Sequence, residues 1–541
     1  MDVKCPTSAI PELPPEMPKR DRTSPPNKRP PEALAVLNRL TFGQSAQSLA
    51  EYREAGLAGW LEQQLQPQAE PELEKRLAQL PIRIRYPESK DWPAVDELRP
   101  VQWLAAPMEK LWPLANYAVP QPGPERARPR VEVALASLMR GAYGRFQLKE
   151  VLTDFWHNHF SVNAHDGSIG VAFPVYDREV VRAHCLGNFR EFLEAVASSA
   201  CMLISLNNRS SRAGAPNENY ARELFELHSL GRDAYLNALY DRWRQVPGAE
   251  KGRPVGYIDQ DVYEAARAFA GWGLEDGAGT GMGGALPKSG KFAYVDAWHD
   301  QYQKRVLGQE FDPYQPPQAD GRRVLDLVAR HPATASNIIR KLAWRLGLGV
   351  LSGAALKAAM AVWDEAYAAP DQIARVVRQL VLNGDYSPAT QRVRRPLELV
   401  LAYVRATGLE FTPTEGLLGE MEAAGQKLFG WLTPTGLPDE DAYWLGVNAI
   451  RRRWSLLAGL SDNWWGTGVF KPGQGGTLNA GDLLAHWSTQ LYGSAPPGLL
   501  AEILAAARLA PEKKPIDDGL ARKLVAWLAM APAFQLRGGE A

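Results

Sequence analysis

Apolar residues recur at three- and four-residue spacing along most of the chain, and this spacing predicts amphipathic α-helices. The pattern runs through SAQSLAEYREAGLAGWLEQQLQP, resumes in RPRVEVALASLMRGAYGRFQLKEVLTDFWHNHF, and from Arg322 onwards gives one helix after another. No long alternation typical of parallel strands occurs, which disfavours a doubly wound fold. We expect an all-α protein: one large multi-helix domain with irregular loops and at most a small β-hairpin, placed in the glycine-rich LEDGAGTGMGGALPKSGKFAYV.

Proline-rich and irregular segments divide this helical pattern. Residues 1–31 are crowded with proline and charge and predict a flexible leader with few contacts to the body. The break PQPGPERARPR indicates an internal boundary. We therefore expect an N-terminal helical region over 32–130, a central helical domain over 131–460 that carries the candidate site, and a C-terminal helical region over 461–541.

Composition excludes several classes of protein. The 541 residues are 45 % hydrophobic, and 61 basic residues balance 61 acidic ones, so the chain is globular and lacks the basic excess of a nucleic-acid binder. Three cysteines make no disulfide framework, and no run of about 18 apolar residues could span a bilayer. No secretory signal is visible at the start, which favours a cytoplasmic location and leaves the compartment open.

The segment LTDFWHNHFSVNAHDG concentrates candidate chemistry. His157 and His159 point about 200° apart on a regular helix, so they could share a metal only at a helix end or in an extended stretch. We expect this helix to end near His159. Asp154 and His157 lie three residues apart on one face, which suits two ligands or a carboxylate that orients an imidazole. Hydrogen-bonded structural histidines and a metal-free base are the alternatives. His165 is expected to be an exposed loop residue.

The segment NENYARELFELHSLG carries the second candidate set. On a regular helix Asn219, Glu223 and Glu226 form an acidic stripe that could bind a cation. The alternative is internal ion pairing with Arg222, which is adjacent to Glu223 and four residues before Glu226. His228 lies near the helix C-terminus, where the dipole favours its protonated form, in a structural or a catalytic role.

A third polar set follows the glycine-rich segment. Asp296, His299, Asp300 and Lys304 could belong to a loop that closes over a ligand, but a surface hairpin with solvated charges is the favoured interpretation. His331 before a proline predicts a helix start. The motifs of serine hydrolases, phosphate loops and HExxH metalloproteases do not occur in the sequence, and GTGMGG lacks the strand context of a dinucleotide site.

Several longer motifs together resemble the bacterial DUF1800 family. They are LNRLTFG, AGLAGWLEQQL, FWHNHF, NENYARELFELHSLG, DVYEAARAFAGW, WHD followed by KRVLG, and HPATASNIIRKLAWRL, in the family's order over residues 32–460. The family name records no assigned activity. Members often carry export signals and are often encoded beside sulfatase-like DUF1501 proteins, so the resemblance implies work at the cell envelope and a DUF1501-type partner. The stretch AGQKLFGWLTPTGLP is a looser form of the family's pattern.

The leading hypothesis from the sequence is a metal-dependent enzyme. One divalent ion (iron, zinc or manganese) would support oxidation or hydroxylation if it is iron and hydrolysis if it is zinc, on an unknown small-molecule, glycan or protein substrate. The alternative is a non-enzymatic envelope or assembly protein in which these motifs form structural hydrogen-bond networks. The predicted metal ligands are His157, His159 and Glu223, and the predicted catalytic residues are His228, Glu226 and Asp154.

Overall fold

The fold is taken from a computed structural model of the chain. It describes residues 32–281, 283–472, 478–493, 495–514 and 517–538. The predicted leader, residues 1–31, lies outside the described residues, and its lack of contacts stays a prediction.

The first half of the described chain is a succession of helices joined by turns, short 3₁₀-helical segments and one hairpin. Ser45 caps the second helix through a reciprocal capping box with Ser48. The α-helices here are α1 Ala33–Leu40, α2 Ala46–Leu65, α3 Pro71–Ala78, α4 Met108–Leu111, α5 Gly123–Tyr143, α6 Gln147–His159, α7 Gly167–Val175, α8 Arg182–His184, α9 Phe189–Ala197, α10 Ala200–Ser205, α11 Glu218–Glu223 and α12 Asp259–Ala268.

Two wider π-helical turns interrupt this half, Tyr176–Val181 between α7 and α8 and Leu224–His228 directly after α11. A π-helical turn shifts the faces on which the following side chains lie, and such turns are frequent at functional sites.

The second half is also helical. His331 caps α14, accepting a bond from the Ala333 amide at 3.1 Å, and Pro332 occupies the first helical position, which confirms the predicted helix start. The helices are α13 Ala319–Arg330, α14 Pro332–Arg345, α15 Gly353–Glu365, α16 Gln372–Leu382, α17 Pro396–Thr407, α18 Glu415–Ala423, α19 Asp441–Trp444, α20 Val447–Ser461, α21 Ala480–Tyr492, α22 Leu499–Ala507, α23 Asp518–Met530 and α24 Pro532–Gln535.

The strands form four separate antiparallel pairs within the described residues, where the sequence predicted at most one hairpin. The glycine-rich hairpin is confirmed as the pair β3–β4, and β7–β8 joins the start of α17 to the C-terminal end of the described chain. The strands are β1 Pro81–Tyr86, β2 Val95–Pro100, β3 Trp272–Asp276, β4 Lys288–Tyr294, β5 Lys304–Val306, β6 Gln309–Phe311, β7 Arg392–Val393 and β8 Leu536–Arg537. The predicted, mainly helical class is confirmed.

One large hydrophobic core extends from Val36 in α1 to Phe534 in α24. It contains the central helices α6, α9, α14 and α17, and a smaller core packs β1 and β2 against α5. The three predicted regions therefore share one core, while their boundaries stay a prediction. None of the helices in the described part of the chain is long and apolar enough to cross a membrane.

Candidate functional site

Helix α6 holds both histidines of the WHNH motif, and it ends at His159 as the sequence predicted. Both side chains are buried, but they face different partners. His157 lies against Asp177, and His159 lies against His228. Since two residues along a regular helix place their side chains on nearly opposite faces, α6 separates the two histidines into two polar clusters.

The cluster around His157 is a balanced ion-pair network. The His157 Nε2 donates to Asp177 Oδ1 at 2.9 Å, and Arg182 bridges Asp177 and Glu150. Burial opposes ionisation of Asp177, but Arg182 and His157 beside it hold the pKa of that carboxyl below its usual range. Arg140 adds the second positive charge to these two carboxylates. This arrangement explains His157 as a residue that fixes α6 to the following π-helical turn.

The cluster around His159 opens into a cleft. The His159 Nε2 donates to the backbone oxygen of His228 at 3.2 Å, and its Nδ1 accepts from Lys341 Nζ at 3.5 Å. Burial, together with the nearby Lys341, holds the pKa of His159 well below its usual range. The two contacts fix one neutral tautomer, in which Nδ1 faces the lysine.

His228 is buried behind this pair, with its ring 6.2 Å from that of His159 and against Phe160. Neither of its ring nitrogens has a hydrogen-bond partner among the described residues. Burial and the charge of Lys341 lower the pKa of His228 to about 3. The expectation that the helix end favours its protonated form is therefore wrong, because the cost of burying the charge exceeds the effect of the dipole.

Lys341 comes from α14 and was not singled out in the sequence. Its ammonium group donates to the backbone oxygen of Leu227 at 3.3 Å in addition to His159, and no carboxylate of the described residues forms an ion pair with it. Burial lowers the pKa of Lys341, although Asp439 in the same cleft opposes this effect. A lysine with these surroundings has an amine that loses its proton more readily than a solvated one.

We call the space in front of these residues the central cleft. Its volume is about 690 Å³, which is the size of a small-molecule site. It lies between the end of α6, the turn that follows the π-helical segment, the exposed side of α14, and the loop before α19. Its polar lining residues are Asn158, His159, Glu226, Arg232, Asp233, Ser336, Asn337, Arg340, Lys341, Arg345, Arg395, Thr435, Asp439 and Glu440.

Glu223 and Glu226 of the predicted acidic stripe lie close enough to interact electrostatically, and their role as a cation site stays a prediction. Glu226 lies in the π-helical turn after α11 and lines the cleft, where it pairs with Arg232 at 2.6 Å. Burial and the charge of Glu226 raise the pKa of Glu223. Arg222 pairs with Glu218 and Asp259 instead of the two predicted partners, because Asp259 comes from the start of α12. Long-range packing supplied a partner that local spacing could not show.

The remaining predicted residue, Asp154, faces a cluster of arginines. It pairs with both Arg345 and Arg395, and Glu398 pairs with the same two arginines. Burial opposes ionisation of Asp154, but Arg395 and Arg345 keep its pKa below the usual range. Asp154 therefore binds arginine and does not orient His157, although the two residues lie three apart on the helix.

Five of the six predicted site residues fall into three environments, and the sixth, Glu223, ends α11 near Glu226 without lining the cleft. His159, His228 and Glu226 are at or next to the central cleft, His157 belongs to the Asp177 network, and Asp154 belongs to the arginine cluster. In the ranges that the structure describes, no group of three or more His, Cys, Asp or Glu residues comes together in a way that could hold a metal ion. The catalytic and ligand roles of these residues stay predictions.

Asp296 is the one member of the third polar set that is exposed, as the predicted solvated hairpin requires. His299 and Lys304 are buried, and both bind the Asp320 carboxylate, at 3.2 Å and 2.7 Å. Asp300 pairs with Arg267 of α12. These partners are distant in sequence, so the set joins the hairpins to α12 and α13.

His165 is also more buried than the sequence predicted. Its ring donates to the backbone oxygen of Leu428 at 3.4 Å, and burial together with Arg130 lowers its pKa to about 4. His165 therefore packs on the segment before the cleft loop and does not extend into solvent.

Fold and cleft together define a mostly helical protein with a preformed polar cavity at the ends of several core helices. The sequence profile of the family described as "Protein of unknown function (DUF1800)" matches residues 35–536, so the chain belongs to this family. The match extends past residue 460, where the resemblance in the motifs ended, to the last strand. No curated protein and no solved structure shows significant similarity to the chain.

Proposed function

We propose that this DUF1800 protein is an enzyme that works in the central cleft by proton transfer through Lys341, whose amine His159 holds in position. The observation that carries the proposal is the 3.5 Å contact between Lys341 Nζ and His159 Nδ1, without an ion-pair partner for the lysine among the described residues. A lysine that serves only structure is commonly paired or solvated, whereas this one faces an imidazole at the wall of a cavity.

The chemistry follows from the two groups. An amine whose pKa is lowered by burial exchanges a proton closer to neutral pH, where general acid–base catalysis is most effective. His159 stays neutral and accepts from Lys341 at Nδ1, so it holds the amine in position at the wall of the cleft. In this mechanism Lys341 abstracts a proton from the bound substrate and returns it to the product.

The metal-dependent chemistry predicted from the sequence needs a different arrangement. Oxidation, hydroxylation or metal-assisted hydrolysis would require His157 and His159 to reach one ion, but each has a separate partner on its own side of α6. The proposal therefore uses the amine and the imidazole. A substrate or DUF1501-type partner at the envelope stays a prediction from the family resemblance.

The first test measures the proton affinity of Lys341 directly. Competitive labelling with acetic anhydride over a range of pH, read by mass spectrometry, should give Lys341 a lower apparent pKa than Lys357, an exposed lysine of α15 that serves as the internal control. Equal labelling profiles for the two lysines would contradict the proposed mechanism.

The second test measures turnover without a known substrate. Wild-type protein and the variants Lys341→Met and Lys357→Met are incubated with a metabolite extract, and consumed and formed compounds are followed by mass spectrometry. We expect conversions that persist in Lys357→Met and disappear in folded Lys341→Met. Conversions unaffected by Lys341→Met would overturn the assignment of the lysine, and no conversion by any of the proteins would favour the assembly alternative.

A further inference from the structure

The arginine cluster behind the central cleft holds more positive than negative charge. Its members lie at the end of α14, on α20, on β8 and in the link between β7 and α17. Asp154 and Glu398 are the two carboxylates that pair with members of the cluster. Glu398 alone pairs with three arginines, including Arg537 at 2.7 Å. The five buried arginines of this cluster are Arg345, Arg394, Arg395, Arg453 and Arg537.

The arginines farther from the cleft are charges that burial disfavours. Burial lowers the pKa of Arg394 and of Arg453 to about 10 and that of Arg537 to about 9, although Glu398 opposes the effect on each. All three still carry their charge at neutral pH. Since an uncompensated buried charge is costly, a cluster with this imbalance favours a further negative charge nearby.

The network on the other face of α6 provides a comparison within the same protein. There, Arg140 and Arg182 face Asp177 and Glu150, so two positive charges meet two negative ones. This network is closed and needs no further ion. The surplus of positive charge is thus a feature of the cleft side of α6 and not of the buried ion pairs in general.

Two members of the cluster reach the cleft. Arg345 is 6 % exposed and Arg395 is 4 % exposed, and both line the central cleft. The Nε atom of each is buried and has no hydrogen-bond partner among the described residues. Two guanidinium groups beside one another offer several donors in a fixed geometry, which suits the oxygens of a carboxylate, sulfate or phosphate.

The acidic residues of the cleft do not remove this excess. Glu226 is paired with Arg232. Asp439 acts electrostatically on both Arg395 and Lys341 without pairing with either, so one carboxylate faces two further cations. Asp233 and Glu440 line the cleft as well, and neither forms an ion pair with the arginines of the cluster.

We propose that the Arg345 and Arg395 end of the central cleft is a binding subsite for an oxyanion, carried by the ligand as a carboxylate, a sulfate or a phosphate. The inference rests on the proposed function in its choice of cleft and adds the chemical class of the substrate. Arg345 and Arg395 bind the anion, while the neighbouring Lys341 lies within the same cavity to act on the attached carbon skeleton.

The test is isothermal titration calorimetry with sodium sulfate, inorganic phosphate and succinate, at an ionic strength held constant with sodium chloride. We expect saturable binding of at least one of these probes to wild-type protein, and the preferred probe tells a tetrahedral anion from a carboxylate. Folded Arg395→Met should bind about tenfold more weakly or worse, since a charge-assisted hydrogen bond is lost. Arg453→Met removes the same charge from the cluster outside the cleft lining and should change binding less.

Hydrogen exchange on wild-type protein keeps the proposal testable if Arg395→Met does not fold. The bound probe should slow exchange in segments 341–345, 395–398 and 431–440. Three results would overturn the proposed subsite. They are the lack of saturable binding of any probe, protection confined to other segments, and an equal loss of affinity in both arginine variants. These experiments measure binding and not turnover. A failure of the proposed Lys341 mechanism therefore does not affect the anion subsite, and a failure of the subsite does not affect the Lys341 mechanism.

Discussion

The buried histidine His228 makes the stability of this protein depend on pH in a way that can be calculated. Its pKa lies at about 3 in the folded protein and at 6.5 in an unfolded chain. The unfolded state therefore takes up a proton as the pH falls below 6.5, while the folded state stays neutral until about pH 3. The free energy of unfolding is highest above pH 6.5 and falls as the pH falls through this window.

The size of the effect follows from the difference in pKa. Each unit corresponds to about 1.36 kcal/mol, so the full window is worth about 5 kcal/mol and the part between pH 6.5 and about pH 5 is worth about 2 kcal/mol. The substitution His228→Leu removes the titrating group. It breaks no side-chain hydrogen bond, because neither ring nitrogen has a partner among the described residues. It loses the ring contact with Phe160, at a cost of about 1 kcal/mol that does not depend on pH.

The assay is urea unfolding followed by far-UV circular dichroism, at pH 6.5 and at about pH 5, on wild type and His228→Leu. We expect the difference between the two pH values to shrink by about 2 kcal/mol in the variant. His486→Asn, a change at an exposed histidine of α21, is the matched control and should keep the wild-type difference. If His228→Leu keeps the full pH dependence, the description of His228 as a neutral, desolvated residue is refuted.

Two further outcomes are expected. After incubation with iron, zinc or manganese, the wild type and the double variant His157→Ala/His159→Ala should have the same metal content, because the two rings face different clusters. A stoichiometric ion that is present in the wild type and lost in the variant would restore the metal-site prediction. Burial raises the pKa of Asp261 to about 6. As the pH rises from 3.8 to about 6, the unfolded chain ionises first and the folded protein loses about 3 kcal/mol of stability at this group. Asp261→Asn should remove that loss when urea unfolding of wild type and variant is compared at both ends of the window, and an unchanged difference would speak against the raised pKa.

Much of the fold could be predicted from the sequence because it depends on local periodicity. The apolar spacing predicted the helices, the glycine-rich run predicted β3–β4, His331 before a proline predicted the start of α14, and the end of α6 was placed at His159. His157 and His159, two residues apart on α6, face different partners, as the geometry of a regular helix predicts. These features need no contact with a distant part of the chain.

The composition of the site was decided by tertiary structure. Lys341 has no local signal that separates it from an ordinary lysine on an amphipathic helix; its role follows from the contact with His159, 182 positions earlier in the chain. In the sequence Arg345 and Arg395 look like ordinary surface charges, and only the folded structure pairs them with Asp154 and Glu398. Glu226 pairs with Arg232, beyond the end of the π-helical turn, and helical spacing alone did not identify this partner.

Most of the wrong predictions concern polar residues that the folded protein buries. Asp296, His299, Asp300 and Lys304 have the polar character of a solvated hairpin, and the sequence cannot show that Asp320 from α13 pairs with two of them inside the protein. A side chain's charge state depends on its distance from water and from other charges, and these distances are set by packing between helices far apart in sequence. The amino-acid sequence by itself therefore determined the helices and the candidate polar residues, whereas the tertiary structure decided which of them share a cleft and which bind one another.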